Sequence, residues 1–182
     1  MTPGYFVDFL NMTSMRKILV LCKSNVCRSP LIEAVLRQQL ALNRLDGWQV
    51  SSAGLQMGVS RPRDGIMQRV AAGYGFYYGG SSRSVSSICL DDYDLILVMD
   101  YPQKLQVCAQ LPFVRAQAVQ LFDRVCFGRD TPVEDPTCMP EASYRQTFLH
   151  VHEGCLRLMA ALRSFGTGGT DFDEWLFELD QQ

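Results

Sequence analysis

Apolar residues in this chain form short runs that alternate with longer amphipathic stretches. Four short runs have the composition of buried strands: 17–21, 48–52, 94–99 and 117–121. Between and after these runs, apolar residues recur at three- and four-residue steps and predict helices over 30–42, 64–72, 102–111 and 142–163. Strands that alternate with helices predict a single-domain α/β fold. Its four-stranded parallel sheet would be doubly wound, with helices on both faces.

Both ends of the chain depart from this alternation. Residues 1–15 include Pro3 and Gly4, and we interpret them as an N-terminal extension of a domain that spans 16–164. Residues 165–182 are interpreted as a glycine linker followed by an acidic tail. We expect this tail to be a loosely held terminus. The alternative is that its apolar residues, among them Trp175 and Leu176, dock on the domain.

Composition narrows the class of protein. A chain of 182 residues, 47% of them hydrophobic, is long enough to bury one sizeable core. The net charge of -2 argues against a nucleic-acid partner, and no apolar run has the length of a membrane span. The first residues lack the basic region of a secretory signal. Seven cysteines, an odd number, do not suggest a disulfide framework, so we expect a reducing cytoplasm.

The segment between the first strand and the first helix holds the most specific chemistry. Cys22 ends the strand, Arg28 follows after five residues, and Ser29 and Pro30 suit the N-cap and first position of a helix. Backbone N–H groups at a helix N-terminus can surround an oxyanion, and arginine can bind two of its oxygens. The same field favours a cysteine thiolate. Alternatively, Cys22 is simply an apolar residue that ends a buried strand.

This segment resembles a known family. The residues Val20-Leu21-Cys22-x-x-Asn25-Val26-Cys27-Arg28-Ser29-Pro30 look like the phosphate-binding loop of the low-molecular-weight protein tyrosine phosphatases. Three further matching pieces follow in the family's order: Ser52-Ala53-Gly54, residues 94–100 and Asp135-Pro136. The resemblance extends over about residues 16–164 and identifies that range as a phosphatase domain. It implies hydrolysis of phosphotyrosine in proteins through a cysteinyl-phosphate, with no cofactor and no metal.

The resemblance also implies a role for each site residue. Cys22 would attack phosphorus, and Arg28 with the loop amides would hold the phosphate oxygens; the loop residues are Lys23, Ser24, Asn25, Val26 and Cys27. Ser29 would hydrogen-bond the sulfur, and Asn25 would brace the loop. Asp135 would protonate the leaving oxygen as a general acid. Pro136 favours an extended conformation at Asp135 and so places that carboxyl on a loop. Without the thiolate loop, this Asp-Pro pair would be a common turn.

Two positions depart from the family pattern. Ser24 stands where glycine is usual, and Thr137-Cys138-Met139 follows Pro136 where the family commonly has tyrosines that line the cleft. Tyr101, Tyr144 or Met57 could supply the missing wall. Arg61, Arg63 and Arg69 are interpreted as solvated or salt-bridged, with substrate contact as the lesser alternative.

Two further motifs have alternative interpretations. Cys27 either packs under the loop or acts as a resolving thiol that captures oxidised Cys22. His150 and His152 are two positions apart on a predicted helix, so their side chains should diverge, which argues against a shared metal.

Two other functions remain open at this point. An arsenate reductase of the same fold needs relay cysteines, and the third strand ends in Val98-Met99-Asp100 without one, while Cys89 and Cys108 fit poorly. A catalytically weak phosphate-binding regulatory module is favoured by the altered residues after Pro136. For a phosphatase, the resemblance makes a phosphotyrosine protein the partner. In bacteria the family often acts on tyrosine kinases of polysaccharide export, so such a kinase is a candidate. The sequence does not fix the oligomeric state.

Overall fold

The computed structural model describes residues 15–56, 58–111, 118–165 and 171–181. The strands are β1 (Arg16–Cys22), β2 (Trp48–Gly54), β3 (Leu95–Val98) and β4 (Val119–Leu121). The helices are α1 (Arg28–Leu42), α2 (Gly65–Ala72), α3 (Tyr101–Cys108), α4 (Phe122–Phe127), α5 (Glu141–Ser164) and α6 (Phe172–Gln181). Two 3₁₀ turns, Val85–Ser87 and Leu90–Asp92, precede β3.

The strands form one parallel sheet in the order β2-β1-β3-β4, which confirms the predicted fold. Because β2 and β3 lie on opposite sides of β1, the chain changes direction across the sheet next to the carboxyl end of β1. Ligands of doubly wound sheets bind at this kind of position, outside the carboxyl ends of the strands. Cys22 is the last residue of β1 and pairs with Gly54 of β2.

Each face of the sheet has its own core, because successive strand residues point to opposite sides. Ile18 and Val20 pack with α1, α2, α4, α5 and α6. Leu19 and Leu21 point the other way and pack with Val107 of α3 and the segment before β3. Both faces are therefore covered by helices, as the sequence predicts.

The predicted elements are present with shifted ends. Asp94, predicted to begin the third strand, precedes β3, and its Oδ2 accepts a hydrogen bond of 2.7 Å from the backbone N–H of Lys17. The six-residue helix α4 was not predicted, because it is too short to show a periodic pattern. Several predictions fall outside the described residues: those for 1–14, Met57, Gln117 and the glycine linker at 166–170.

The expectation of a loosely held acidic tail is wrong for the residues that form α6. Phe172 and Leu176 of this helix are 2% and 6% exposed and belong to the larger core. The centroids of the Phe172 and Trp48 rings are 5.4 Å apart. The Arg16 guanidinium lies 4.2 Å from the centroid of the Phe172 ring. Apolar contact and a cation–π interaction thus hold α6 against the amino ends of β1 and β2.

No helix among the described residues combines the length and apolar character needed to span a bilayer.

Candidate active site

The loop from Lys23 to Cys27 joins β1 to α1, as predicted. Helix α1 begins at Arg28 with Cys27 as its N-cap, and no side chain caps it. Ser29 is therefore not the N-cap that the sequence suggested. Its hydroxyl instead lies 3.0 Å from the Cys22 sulfur, inside the loop. The preference of serine for helix N-caps gave way to a tertiary contact.

Most carbonyl groups along this loop are bound by residues outside it. Backbone N–H groups of Leu55, Gln56 and Asp64 donate respectively to the carbonyls of Cys22 (3.0 Å), Lys23 (2.8 Å) and Val26 (3.0 Å), and the Cys27 carbonyl accepts the first bond of α1 from Leu31 (3.3 Å). The Asn25 carbonyl accepts from Arg63 Nη1. No cis peptide bond occurs among the described residues, so each following N–H points away from its carbonyl. The N–H groups that follow these carbonyls therefore point toward the interior of the loop, an arrangement that forms anion-binding nests in other proteins.

Cys22 lies at the base of this nest and is 3% exposed. The backbone N–H of Asn25 donates to its sulfur over 3.2 Å, and the Ser29 Oγ lies 3.0 Å from it. Both groups can donate hydrogen bonds to the sulfur.

Asn25 is hydrogen-bonded through its side chain to residues of α1 and β2. Its φ of 52° is left-handed, a conformation that asparagine tolerates better than most residues. Its Nδ2 donates to the Oγ atoms of Ser29 (3.0 Å) and Ser52 (2.7 Å), and the Ser52 hydroxyl donates to Glu33. Ser24 is not one of the described non-glycine residues that have a positive φ. The backbone at Ser24 therefore does not need a glycine, the residue that the family usually has there.

Arg28 and Asp135 form an ion pair. Arg28 is 6% exposed, and it donates through Nη1 to the Val133 carbonyl (3.0 Å) and through Nη2 to Asp135 Oδ2 (2.6 Å). Asp135 lies on the irregular loop before α5, consistent with its position before Pro136. Its other oxygen, Oδ1, accepts from the Thr137 hydroxyl (2.7 Å) and backbone N–H (3.1 Å).

A cavity of about 250 Å³ opens beside the loop. Its lining includes Lys23 and Arg28 from the loop segment, Leu55 and Gln56 after β2, and Asp100 before α3. Asp135 does not line this cavity and is joined to the loop through Arg28. The other site residues that the sequence proposed lie in the loop and next to it: Cys22, Lys23, Ser24, Asn25, Val26, Cys27, Arg28 and Ser29.

Cys27 lies within the larger core and is 4% exposed. Burial raises the pKa of its thiol far above the ordinary value, and the nearby carboxylates of Asp64 and Asp135 raise this pKa further. A thiol that resists ionisation is a poor nucleophile toward oxidised Cys22. This environment favours the packing interpretation of Cys27.

The structure also shows where four other residues singled out in the sequence lie, and it corrects the assignments of Tyr144 and Arg63. Tyr144 is not a wall of the cleft, because it is 1% exposed and its hydroxyl reaches Asp64 Oδ2 at 3.3 Å. Tyr101 is 61% exposed at the start of α3. Arg69 is exposed and pairs with Glu141 (3.8 Å), as predicted. Arg63, predicted to be solvated or salt-bridged, instead binds the loop at Asn25.

The two histidines of α5 diverge, as predicted. His150 Nε2 lies 2.6 Å from Asp123 Oδ1, and the imidazole stacks on the Phe127 ring. His152 stacks on Phe148, away from that pair.

A comparison with known families agrees with this geometry. The family model described as low molecular weight phosphotyrosine protein phosphatase matches residues 17–165. This chain belongs to that family.

Relatives in the family support the assignment over much of the chain. The low molecular weight protein-tyrosine-phosphatase Etp of Escherichia coli K12 is 39% identical over 116 residues, which are 63% of this chain and 74% of Etp. The low molecular weight protein-tyrosine-phosphatase YfkJ of Bacillus subtilis is 29% identical over 157 residues, 82% of this chain and 97% of YfkJ.

Solved structures of the family have the same fold. A low molecular weight phosphotyrosine phosphatase from Vibrio cholerae O395 superposes with a TM-score of 0.75 at 26% identity, covering 83% of this chain and 99% of that one. The structure of B. subtilis YfkJ gives a TM-score of 0.73 at 27% identity, covering 82% and 96% of the two chains. The family's fold therefore accounts for most of this chain.

Proposed function

We propose that this protein hydrolyses phosphotyrosine in proteins through a cysteinyl-phosphate intermediate, with residues 16–164 as the phosphatase domain. The observation that carries the proposal is the position of Cys22. Its sulfur lies at the base of a loop whose carbonyls are mostly bound from outside, with the Asn25 N–H 3.2 Å away. A thiolate surrounded by inward N–H groups suits attack on a bound phosphate dianion.

In the first step, the Cys22 thiolate attacks phosphorus in line with the tyrosyl oxygen. An S–P bond forms, the P–O bond to the phenol breaks, and Asp135 gives its proton to the departing oxygen. The loop amides from Lys23 to Arg28 and the Arg28 guanidinium hold the three remaining oxygens. Lys23, on the rim, adds positive charge near them.

In the second step, the Asp135 carboxylate takes a proton from a water molecule that attacks phosphorus. An O–P bond forms and the S–P bond breaks. Inorganic phosphate is released, and Cys22 is left as a thiolate. The Ser29 hydroxyl, 3.0 Å from the sulfur, supports this departure by donating a hydrogen bond to the sulfur as its negative charge returns.

The pairing of Arg28 with Asp135 implies an exchange of partners during the reaction. Nη2 of Arg28 is the atom that binds Asp135. If the guanidinium is to bind two phosphate oxygens at once, it needs the same Nη2 atom for one of them. We propose that the phosphate takes over Nη2 while Nη1 keeps the Val133 carbonyl. The released Asp135 can then turn toward the leaving oxygen.

The decisive experiment measures phosphate release from para-nitrophenyl phosphate and from a phosphotyrosine peptide. Cys22→Ser should abolish turnover of both, and acid-quenched wild-type enzyme should carry phosphate on Cys22. Cys89→Ser is a matched control, because Cys89 is an exposed thiol outside the loop. Turnover that survives in Cys22→Ser would refute the mechanism.

The same assays separate the alternatives. A phosphate-binding regulatory module would bind inorganic phosphate without turnover. An arsenate reductase would show arsenate-dependent thiol oxidation. The family assignment and the paired Arg28 and Asp135 favour hydrolysis over both.

We further propose a cytoplasmic location and a tyrosine-phosphorylated protein as substrate. All seven cysteines are free thiols in the structure, which suits a reducing compartment. The relatives described above, Etp and YfkJ, are named as protein-tyrosine-phosphatases and come from bacteria. A bacterial tyrosine kinase phosphorylated on tyrosine is the first protein substrate to test.

A further inference from the structure

The segment Arg63-Asp64 contacts the phosphate-binding loop but has no role in the proposed hydrolysis. Two consecutive loop carbonyls, those of Asn25 and Val26, are bound by the adjacent residues Arg63 and Asp64. Asp64 donates its backbone N–H to the Val26 carbonyl over 3.0 Å. The Arg63 side chain donates Nη1 both to the Asn25 carbonyl and to Asn25 Oδ1, the latter over 2.6 Å.

The Asp64 half of this support is anchored in the fold. Its Oδ1 accepts from the N–H groups of Ile66 and Met67 at the start of α2, each over 2.9 Å. Its Oδ2 faces the Tyr144 hydroxyl of α5. The segment that carries Arg63 is therefore fixed by two helices, and Arg63 extends this fixed segment to the loop.

Arg63 acts on the Asn25–Val26 peptide. In a trans peptide the N–H and C=O groups point in opposite directions. A guanidinium that holds the Asn25 carbonyl on the outside therefore aims the Val26 N–H at the interior. The preceding peptide places the Asn25 N–H on the Cys22 sulfur at 3.2 Å. Asn25 joins these two peptides through its left-handed φ of 52°, a conformation that requires support.

The environment of Arg63 differs from that of an ordinary surface arginine. Burial lowers the pKa of its guanidinium, and the carboxylate of Glu33 acts in the opposite sense. Glu33 is also the acceptor for Ser52, whose hydroxyl binds Asn25 Nδ2. Arg63 and Glu33 thus bracket the same asparagine, one at its oxygen atoms and the other through Ser52.

We propose that Arg63 is a positioning residue that holds Asn25 left-handed and so aims the Val26 N–H at a bound phosphate oxygen. Its positive charge also polarises the peptide whose N–H faces the anion. The effect on turnover rests on the proposed function. The effect on anion binding does not, so the test is built on anion binding.

The test uses inorganic phosphate as the ligand and alkylation of Cys22 as the signal. Wild type, Arg63→Met, Arg63→Lys and the control Arg61→Met are treated with iodoacetamide at increasing phosphate concentrations. Mass spectrometry then gives the rate of labelling at Cys22. A second series with iodoacetate, an anionic reagent, measures how strongly the loop attracts an anion relative to neutral iodoacetamide. Arg61 is exposed and lies two positions away, so its variant controls for loss of a nearby charge.

Arg63→Met should raise the phosphate concentration for half-protection about 10-fold and lower the iodoacetate-to-iodoacetamide rate ratio several-fold. Arg63→Lys, which keeps the charge but loses the planar fork, should show about a 3-fold increase. If Arg63→Met matches Arg61→Met within about twofold in both measurements, the proposal is wrong.

Labelling of the buried Cys155 reports unfolding in each sample. If Arg63→Met unfolds, Arg63→Lys decides the question, and equality with Arg61→Met then overturns the proposal. Wild type that is protected by phosphate yet hydrolyses no phosphate ester would refute the proposed function while leaving this inference intact.

Discussion

The guanidinium of Arg28 donates a hydrogen bond to the carboxylate of Asp135, which lies 107 positions later in the sequence, and the distance from Nη2 to Oδ2 is 2.6 Å. The two side chains differ in exposure, at 7% for Arg28 and 41% for Asp135. Arg28 is also held by the Val133 carbonyl, whereas Asp135 sits on an irregular loop. When a phosphate competes for Arg28, we therefore expect Asp135 to be the partner that moves.

Asp135→Asn should slow hydrolysis most for substrates with basic leaving groups. An amide cannot supply the proton, so phenyl phosphate should lose about 100-fold or more, and para-nitrophenyl phosphate much less. A series of aryl phosphates measures this as a steeper dependence of kcat/KM on leaving-group pKa. Glu134→Gln, at the exposed neighbouring carboxylate, is the control. Equal losses across the series would contradict a general-acid role.

Thr137→Val should reduce kcat/KM by about 2- to 10-fold, the effect of one lost hydrogen bond of ordinary strength. The Thr137 hydroxyl donates to Asp135 Oδ1 over 2.7 Å, so its loss frees the carboxylate to rotate. Thr137→Ser keeps the hydroxyl and should retain wild-type activity. The effect should disappear in the Asp135→Asn background, and additive losses would show that Thr137 acts elsewhere.

Cys22 and Cys27 should differ strongly in reactivity although both are buried. Burial raises the pKa of the Cys27 thiol, and the carboxylates of Asp64 and Asp135 raise it further. We expect iodoacetamide at pH 8 to label Cys22 and spare Cys27. After mild peroxide, peptide mapping should find oxyacids of Cys22 without a Cys22–Cys27 disulfide. A disulfide between them would instead support the resolving-thiol alternative.

Asp123 should stabilise the fold in a pH-dependent way. Burial alone would raise the pKa of this carboxyl, but hydrogen bonds from His150 and Thr131 and the charge of Arg129 outweigh burial and hold the pKa below its usual value. A carboxyl with a lowered pKa contributes stability above its unfolded pKa, about 3.9. This contribution is lost as the pH falls through the folded pKa.

Asp123→Asn should therefore lower the free energy of unfolding by about 1–3 kcal/mol at pH 7. Urea unfolding from pH 7 to pH 3 should show this gap narrowing below about pH 4. Asp130→Asn, which removes a mostly exposed partner of Arg124, is the matched control. A gap that stays constant across the range would rule out the carboxylate as its cause.

Phe172→Ala should destabilise the protein by about 3–5 kcal/mol, because the ring is 2% exposed and packs on Trp48. The kcat of the folded variant should not change, since Trp48 begins β2 and the phosphate loop lies at the opposite strand ends. Phe177→Ala, on the same helix but 51% exposed, should change stability by no more than about 0.5 kcal/mol. Urea unfolding of both variants measures the difference.

The parts of the structure that the sequence predicted are those that depend on local pattern. Consecutive apolar residues defined β1, and the spacing of Cys22 and Arg28 located the loop. The tail contained a readable pattern as well, since Phe172, Trp175, Leu176 and Leu179 follow helical spacing. Acidic residues between them favoured the wrong interpretation, although a charged outer face is normal for a docked helix.

Long-range partners were not predictable. Arg63 and Asn25 are 38 positions apart in the sequence. Nothing in the sequence around a single arginine shows whether its side chain contacts a distant loop or lies in solvent. The carbonyls of Cys22, Lys23 and Val26 bind backbone N–H groups, which every residue except proline has, so no residue type in the sequence identifies these contacts. Ser29 is a second example of a tertiary contact that the sequence does not reveal. Serine is often a helix N-cap, but here its hydroxyl contacts the sulfur of Cys22 instead.

The anchoring of α6 has a practical consequence for experiments on this protein. Phe172 meets Arg16 and Trp48, the first residues of β1 and β2, whereas Cys22 is the last residue of β1. Seven strand residues separate the two ends by about 20 Å. A fluorophore or surface tether on the exposed side of α6, for example at position 177, would stand clear of the cleft. Immobilised enzyme attached there would present its phosphate loop to macromolecular substrates from the free side.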